Sequence, residues 1–406
     1  MKVLIGPGLH DPKGNEAFLV AALKRAADVQ PFSAGLRWEQ IEASLPAGWT
    51  PDVIIIRDAE FYHMPVGIEK AEYPIVGLIG DYNLSLNQML PVVGVFDYFF
   101  CDTKGLRIFR KLGFNNCDFF CLYGYDSNTH KNFGLSKDID VVFIGNLSSG
   151  IQQERDEYIY QLARLDRKYK VLITTGVFGD EYVHLLNRSH LVFNRSIRDE
   201  VNMRFFEALA CGAVVMNNYL DELRLMGFVA NEHYLEYDDV AEGVDRFFQE
   251  WTAENRAQMV QKAAGILAGH SYDDRAAQLL ARIAQLDLNP ASRLMRELPE
   301  KDASNRWERY LASEVNLPGL GKVPRFHPIV VNWSKQLLST ELEMKGFDFA
   351  MWSWWIELLQ ASGLEAYLSR FLAERLALLD RFECFQEEAG RIKTLLNRIL
   401  YGFSID

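Results

Sequence analysis

The sequence predicts an α/β protein of two doubly wound halves followed by a mostly helical extension, and three observations carry this. Short continuous apolar runs recur through about residue 285, as in parallel strands buried on both faces. Segments of helical period alternate with them, the pattern of a sheet wrapped by helices. The series runs twice, and beyond about residue 288 the strand signals fade.

Taken in order, Val3-Leu4-Ile5 is the first strand and Asn15 to Ala27 an amphipathic helix with apolar positions at Phe18, Ala22 and Leu23. The loop between them runs from Gly6 to Gly14. Val53 to Ile56, Ile75 to Ile79 and Phe96 to Cys101 complete the first set of strands. Turn-forming and polar residues collect between Gly124 and Lys137, which places the hinge there. The second set is Val141 to Ile144, Val171 to Ile173, Leu191 to Phe193 and Ala213 to Met216, closed by helices between Arg256 and Ile283. Asp238-Asp239 reads as a helix cap. Leu317 to Pro324 is a break, and Glu341 to Leu400 is helical in pattern, with Trp333, Trp352, Trp354 and Trp355 suited to a bundle core or dimer seam. The expected domains are therefore 1–130, Rossmann-like; 131–287, Rossmann-like and facing the first across a cleft; and 288–406, a helical extension that serves as an oligomer seam or an acceptor module.

The composition is that of a folded protein: 406 residues, 49% hydrophobic and 24% charged, with a formal net charge of -12. That acidity argues against general nucleic-acid affinity. The first strand meets Gly6-Pro7-Gly8 instead of extending into a long apolar region, so no secretory signal is expected, and no apolar run is long enough to span a bilayer. Five cysteines, an odd number in mostly apolar surroundings, point to buried thiols in a reduced, cytoplasmic setting. Any membrane contact is expected to be peripheral, at the inner membrane.

The most informative stretch is Asn194 to Met216. Its polar half holds Arg195, Arg198 and Arg204 with Asp199 and Glu200, and runs into an apolar helical segment and then, past Gly212, a strand. A loop entering a helix beside a buried strand is where α/β proteins hold phosphates, and arginines add bidentate donors. A capped amphipathic helix with a charged first turn has the same pattern.

Asn202-x-Arg204-x-Phe206-Glu207-Ala208-Leu209-Ala210-Cys211-Gly212 resembles the donor-site signature of GT-B glycosyltransferases, closest to the spore-maturation-like (CgeB-like) group and more distantly the family four retaining enzymes. Asp97 to Gly105 with Lys111 to Phe114, Tyr123-Gly124-Tyr125-Asp126-x-x-x-His130, Asp140 to Asn146 followed by Arg155, and His270-Ser271-Tyr272-x-x-Arg275 resemble that family's other segments in the same order. The resemblance covers roughly residues 1 to 285 and implies a nucleotide-sugar donor, UDP-linked, with transfer to a glycan, protein or small-molecule hydroxyl, with retention and without a metal or other cofactor.

It also implies site residues. Arg204, Arg155 and Arg195 answer to the pyrophosphate, with Gly145-Asn146 for close backbone approach, Asn202 beside them, Glu207 for the ribose and the Gly176 loop for the base. Family four enzymes carry a second glutamate at the position of Asp199; the aspartate is one methylene shorter, and Glu200 substitutes for it with a register shift. Asp81, at a strand's C-terminal end, would position or deprotonate the acceptor, although helix capping suits it equally. His10 and Asp58 point to the same edge. The competing readings are an inactive GT-B-like subunit binding a partner through its tail, and a nucleotide-sugar epimerase.

Overall fold

The computed structural model describes residues 1–7, 15–60, 62–82, 89–147, 153–311, 314–317, 321–324, 390 and 393–394. His10, Cys384, the tryptophans at 333, 352, 354 and 355, and the expected helices between 341 and 400 lie outside the described residues, apart from short helical fragments at 390 and 393–394. Two compact units emerge. One comprises Met1–Lys2, Leu9–Val29 and Phe120–Asp287; the other Val3–Gly8, Gln30–Phe119 and Leu288–Asp406.

The second unit is built on a six-stranded sheet: β1 (Lys2–Gly6), β2 (Asp28–Pro31), β3 (Val53–Arg57), β4 (Ile75–Leu78), β5 (Tyr98–Cys101) and β6 (Cys117–Phe119), in the order β2-β1-β3-β4-β5-β6. Its central strands are fully buried, as their unbroken Ile, Val and Phe runs require. β2 and β6 were not among the expected strands. Asp28-Val29-Gln30-Pro31 and Cys117-Asp118-Phe119 are short edge strands whose mixed residues give no apolar run. One core cluster joins Ile54, Ile75, Phe99 and Phe109 to Met295 and Trp307, so residues after 288 complete this unit.

Arg293 makes that attachment. Its guanidinium donates to both carboxylate oxygens of Asp97 (3.2 and 2.7 Å) and to the carbonyls of Ile68 (3.4 Å), Glu69 (2.8 Å), Ala71 (3.0 Å) and Tyr73 (2.8 Å). Asp97 Oδ2 also accepts from the N–H of Ile75 at the start of β4 (2.7 Å). Trp307, on the helix Glu300–Leu311, donates to Glu69 (2.9 Å). Where a break was expected from Leu317 to Pro324, strands Glu314–Leu317 and Gly321–Pro324 instead pair antiparallel as a hairpin, since two short polar strands give no apolar run to read.

The first unit holds a five-stranded parallel sheet: β7 (Ile139–Ile144), β8 (Val171–Thr174), β9 (Ser189–Asn194), β10 (Val214–Asn217) and β11 (Leu235–Glu236), in the order β11-β10-β9-β7-β8. The chain runs from β7 outward to β8 and then returns to β9, so the order reverses between β7 and β9. Crevices at such reversals, beyond the strands' C-terminal ends, are where open α/β sheets take ligands.

The helix Asn15–Ala26 packs in this unit against Tyr272–Ile283, with Phe18 stacked on Tyr272 (5.7 Å). Two of the segments quoted above interlock: the Tyr272 N–H donates to the Tyr125 carbonyl (2.9 Å), and Arg275 Nε to Tyr123 (2.9 Å). A Cβ on Gly124 would strike the His270 carbonyl, which explains the glycine. Asp239 caps the helix Val240–Asp245, as expected. Cys101, Cys117, Cys121 and Cys211 are buried free thiols.

Candidate active site

The loops after β7 and β9 frame the reversal point, and one polar network fills it. At the C-terminal ends of β9 and β10, Asn194 and Asn217 sit opposite each other in the strand register, and Asn194 Nδ2 donates to Asn217 Oδ1 (2.6 Å). Asn194 Oδ1 accepts from Arg204 Nη1 (2.8 Å) and Asn202 Nδ2 (3.1 Å). Arg204 Nε donates to the carbonyl of Ile144, the last residue of β7 (2.6 Å). A single guanidinium thus bridges the two strands that flank the crevice.

Arg204 lies 4.8 Å from the Phe143 ring centroid and Arg155 5.4 Å from the same ring, a desolvated cation–π arrangement. Arg155 is 6% exposed and donates to the Asn146 carbonyl (2.9 Å), so it is no solvated surface arginine. Burial, with Arg204 and Arg198 nearby, pulls its guanidinium down to about 10. Burial also lowers Arg204. Cations gathered this closely and this dry favour an anion beside them. Arg195 stacks over Tyr158 (3.9 Å).

The loop after β9 is strained. Arg198 and Asp199 both adopt left-handed backbone (φ 59° and 61°), which costs non-glycine residues on the order of 1–3 kcal/mol each. It is held there by Ser196 and Asn218, whose side chain accepts from the Ser196 N–H (2.8 Å), and by an Arg198–Glu200 ion pair (3.0 Å). Asp199 itself is exposed, while Glu200 is buried.

Asn202 begins the helix Met203–Ala210 without capping it by its side chain. Its Nδ2 is turned to Asn194 and Ser196, and its buried Oδ1 has no hydrogen-bond partner. The Asn202 carbonyl accepts from the Phe205 N–H (3.3 Å), but no side chain of that residue caps the helix, and N–H groups at such a start can serve an anion.

Gly145 is required by close approach: a Cβ there would collide with Arg204 Nη2 and press on Phe143. G145A is expected to displace the guanidinium and weaken the binding of an anion in this crevice roughly tenfold, about 1.4 kcal/mol. In an R204A background its further effect on residual affinity should be much smaller, because most of the disturbance passes through that contact. Calorimetric titration of the four proteins checks this; equal losses in both backgrounds would show that Gly145 acts independently of Arg204.

Glu207 sits one helical turn from Arg204, 3% exposed. Its Oε2 accepts from the Tyr182 hydroxyl (2.6 Å), and its Oε1 lies 3.5 Å from His130 Nε2. His130 Nδ1 accepts from the Asp126 N–H (3.1 Å), which leaves the ring proton on Nε2, facing Glu207. Burial and the Glu207 charge push the Tyr182 phenol well above its usual range. Tyr182 carries no motif, and its role emerges only because the helix Gly179–Arg188 lays it against Glu207. Gly176, in the loop after β8, has φ 73° and an exposed position.

In the other unit, Asp58 and Asp81 of the expected acceptor side lie past the C-terminal ends of β3 and β4. Asp58 adopts left-handed backbone (φ 54°) and pairs with Arg57 (3.2 Å). Burial raises its carboxyl against the pull of Arg57. Asp81 follows β4, half-buried. Sequence reasoning missed Glu60. It is 1% exposed, and its Oε1 accepts from the Gly80 N–H (2.6 Å). Burial, with Asp58 and Asp81 as neighbouring charges, pushes it to about 8.

A glutamate raised in this way costs the fold nothing below its ordinary value near 4.5. Above that pH the unfolded chain gains by ionising it and the fold does not, so stability falls until about pH 8 and then levels. The loss at pH 7 is on the order of 3 kcal/mol. Urea midpoints between pH 5 and 9 should show this slope in the wild type and lose it in E60Q; an unchanged slope in E60Q would refute it.

Among the described residues, no group of three or more His, Cys, Asp or Glu is arranged to hold a metal ion, and no helix is long and apolar enough to cross a membrane.

Residues 135–281 match a family described as glycosyl transferase-like. No curated protein matches the sequence. Among solved structures, trehalose-6-phosphate synthase OtsA is similar at a TM-score of 0.54 and 10% identity, over 71% of this chain and 100% of that one. An E. coli trehalose-6-phosphate structure bound with UDP-2-fluoro glucose is similar at 0.52 and 10%, over 71% and 100%. Anabaena HepE in complex with UDP is similar at 0.50 and 14%, over 70% and 100%.

Proposed function

We propose that this chain, a glycosyltransferase with the GT-B fold, moves a hexosyl group from a UDP-linked donor to a hydroxyl of a glycan, protein or small-molecule acceptor, with retention and without a metal. The observation that carries the donor reading is the arginine network at the β7/β9 reversal point, beside the start of a helix that no side chain of its N-cap residue caps. UDP and a UDP-sugar analogue in two structures of like fold support the choice of nucleotide.

In the transfer, the bond from the anomeric carbon to the donor phosphate oxygen breaks and a bond to the acceptor oxygen forms. The acceptor proton passes to that phosphate oxygen. Arg204, Arg155 and Arg195, with the backbone at Gly145-Asn146, hold the diphosphate as its charge grows, which is where preorganised donors lower a barrier most. Asn202 faces the same phosphates. Glu207, fixed by Tyr182 and His130, takes the ribose hydroxyls, and the Gly176 loop takes the base. Asp199 orients the sugar with Glu200 behind it. Asp81 orients the acceptor hydroxyl, and His10 and Asp58 complete the acceptor side. Transfer takes place in the cytoplasm, with any inner-membrane association peripheral.

The test is a thermal-shift screen of the purified protein against UDP, GDP, ADP, CMP and dTDP, repeated with R204A and E207A. A ligand at about 100 times its dissociation constant adds about 2.7 kcal/mol. A shift with UDP that both substitutions remove supports the donor site, and no shift with any nucleotide overturns it. Turnover of UDP-sugar without an acceptor would point to an epimerase, and binding with no turnover under any acceptor to an inactive subunit.

A further inference from the structure

We propose that Glu60 is a positioning residue for Asp81, holding the backbone beside it and lending it a proton-bearing neighbour; this rests on the reading of Asp81 as the acceptor-side group. The unit's strand order reverses between β1 and β3, and Glu60 lies in the loop that leaves β3 at that point. Its Oε1 accepts from the N–H of Gly80, the residue that precedes Asp81 and follows β4. One carboxyl therefore ties the ends of two neighbouring strands and fixes the backbone from which Asp81 projects.

Its second oxygen is the unusual one. Glu60 Oε2 is buried and has no hydrogen-bond partner. Among the described residues, the charged groups that act on it are Asp58 and Asp81, both acidic, while the adjacent cation, Arg57, is paired with Asp58. A carboxylate with an unsatisfied buried oxygen between two other carboxylates and no cation of its own is the least favourable state for the group. The neutral acid removes that charge: Oε1 remains the acceptor for Gly80, and Oε2 carries a proton available to its acidic neighbours. The direction and size of the raised titration, to about 8, agree.

At neutral pH, Glu60 then adds no charge beside Asp81 and offers a donor that steadies its carboxylate. Above about pH 8 it ionises, a third negative charge appears, and Asp81 loses both the donor and its orientation. No bond to substrate is made by Glu60.

The experiment compares wild type, E60A, E60Q and D81N by UDP release from UDP-glucose across pH 6 to 9.5, and by infrared spectroscopy of the whole chain. E60A is expected to lower kcat ten- to hundredfold with KM for the donor unchanged. E60Q, whose amide carbonyl still accepts from Gly80 and whose NH2 still donates, should regain at least tenfold of the larger loss and lack the alkaline fall. In the infrared, a protonated-carboxyl band present at pH 7 in the wild type should titrate away near pH 8 and be missing from E60Q. That readout needs no acceptor and no turnover. D81N inactive with E60A as active as wild type overturns the positioning role alone. D81N as active as wild type overturns the Asp81 reading and this proposal with it. A protonated band that is absent at pH 7, or that persists in E60Q, overturns the neutral acid whatever the turnover shows.

Discussion

R204A is expected to lower UDP affinity at least a hundredfold, a loss of about 2.7 kcal/mol or more. The guanidinium is locked before any ligand arrives, by the Ile144 carbonyl, by Asn194 and by the face of Phe143. No rotamer entropy is then spent in binding, and hydrogen bonds to a charged phosphate contribute about 1.5–3 kcal/mol each. R204K should not rescue it, because an ammonium cannot span Ile144 and Asn194 and still present a fork to a diphosphate. The truncation also removes the side-chain donor from the Ile144 carbonyl and leaves Asn194 Oδ1 with Asn202 alone, a stability cost of about 1–3 kcal/mol. Calorimetric titration at a temperature where both proteins are folded, verified by circular dichroism, separates the two effects. An R204A protein that binds UDP within threefold of wild type would place the donor elsewhere.

R293A is expected to destabilise the unit it belongs to by about 3–5 kcal/mol, the range for removing one partner of a buried ion pair. Its side chain is fully buried, its partner Asp97 nearly so, and four backbone carbonyls lose a donor at the same time, although Ile68 keeps the Ala71 N–H and Ala71 keeps Arg296. R293K should recover only part, since three donors cannot serve six acceptors. Equilibrium urea unfolding of the full chain, followed by probes in each unit, measures it. A loss below about 1 kcal/mol would mean that water reaches Asp97 once the guanidinium is gone.

What was legible in the sequence divides along physical lines. Strands such as Val53–Arg57 and Ser189–Asn194 were readable because burial on both faces demands unbroken apolar runs. β2, β6 and β11 were not, since an edge strand of two to four residues needs no such run. Arg204 and Asn202 were legible as chemistry beside a helix start, and the structure brings both to Asn194. The partners of Glu207 were not: Tyr182 and His130 are 25 and 77 positions away, and folding alone joins them. Glu60 escaped for another reason. A lone glutamate after a strand reads as a solvated loop residue, and nothing local announces that Gly80 and two aspartates close over it.

The two units also constrain how the molecule is made. The helix Asn15–Ala26 packs on Tyr272–Ile283, about 250 positions later in synthesis, and Asp97 waits for Arg293. Neither unit can close on the ribosome when its own first strands emerge; both stay incomplete until residues 272 to 307 have left the exit tunnel. For that interval the apolar strands of two sheets coexist with unfinished edges, the condition under which nascent chains associate wrongly. A fragment cut after residue 130 would inherit the same defect permanently: residues 1–130 would lack Arg293 and Trp307, and residues 131–287 would lack the helix that packs on Tyr272.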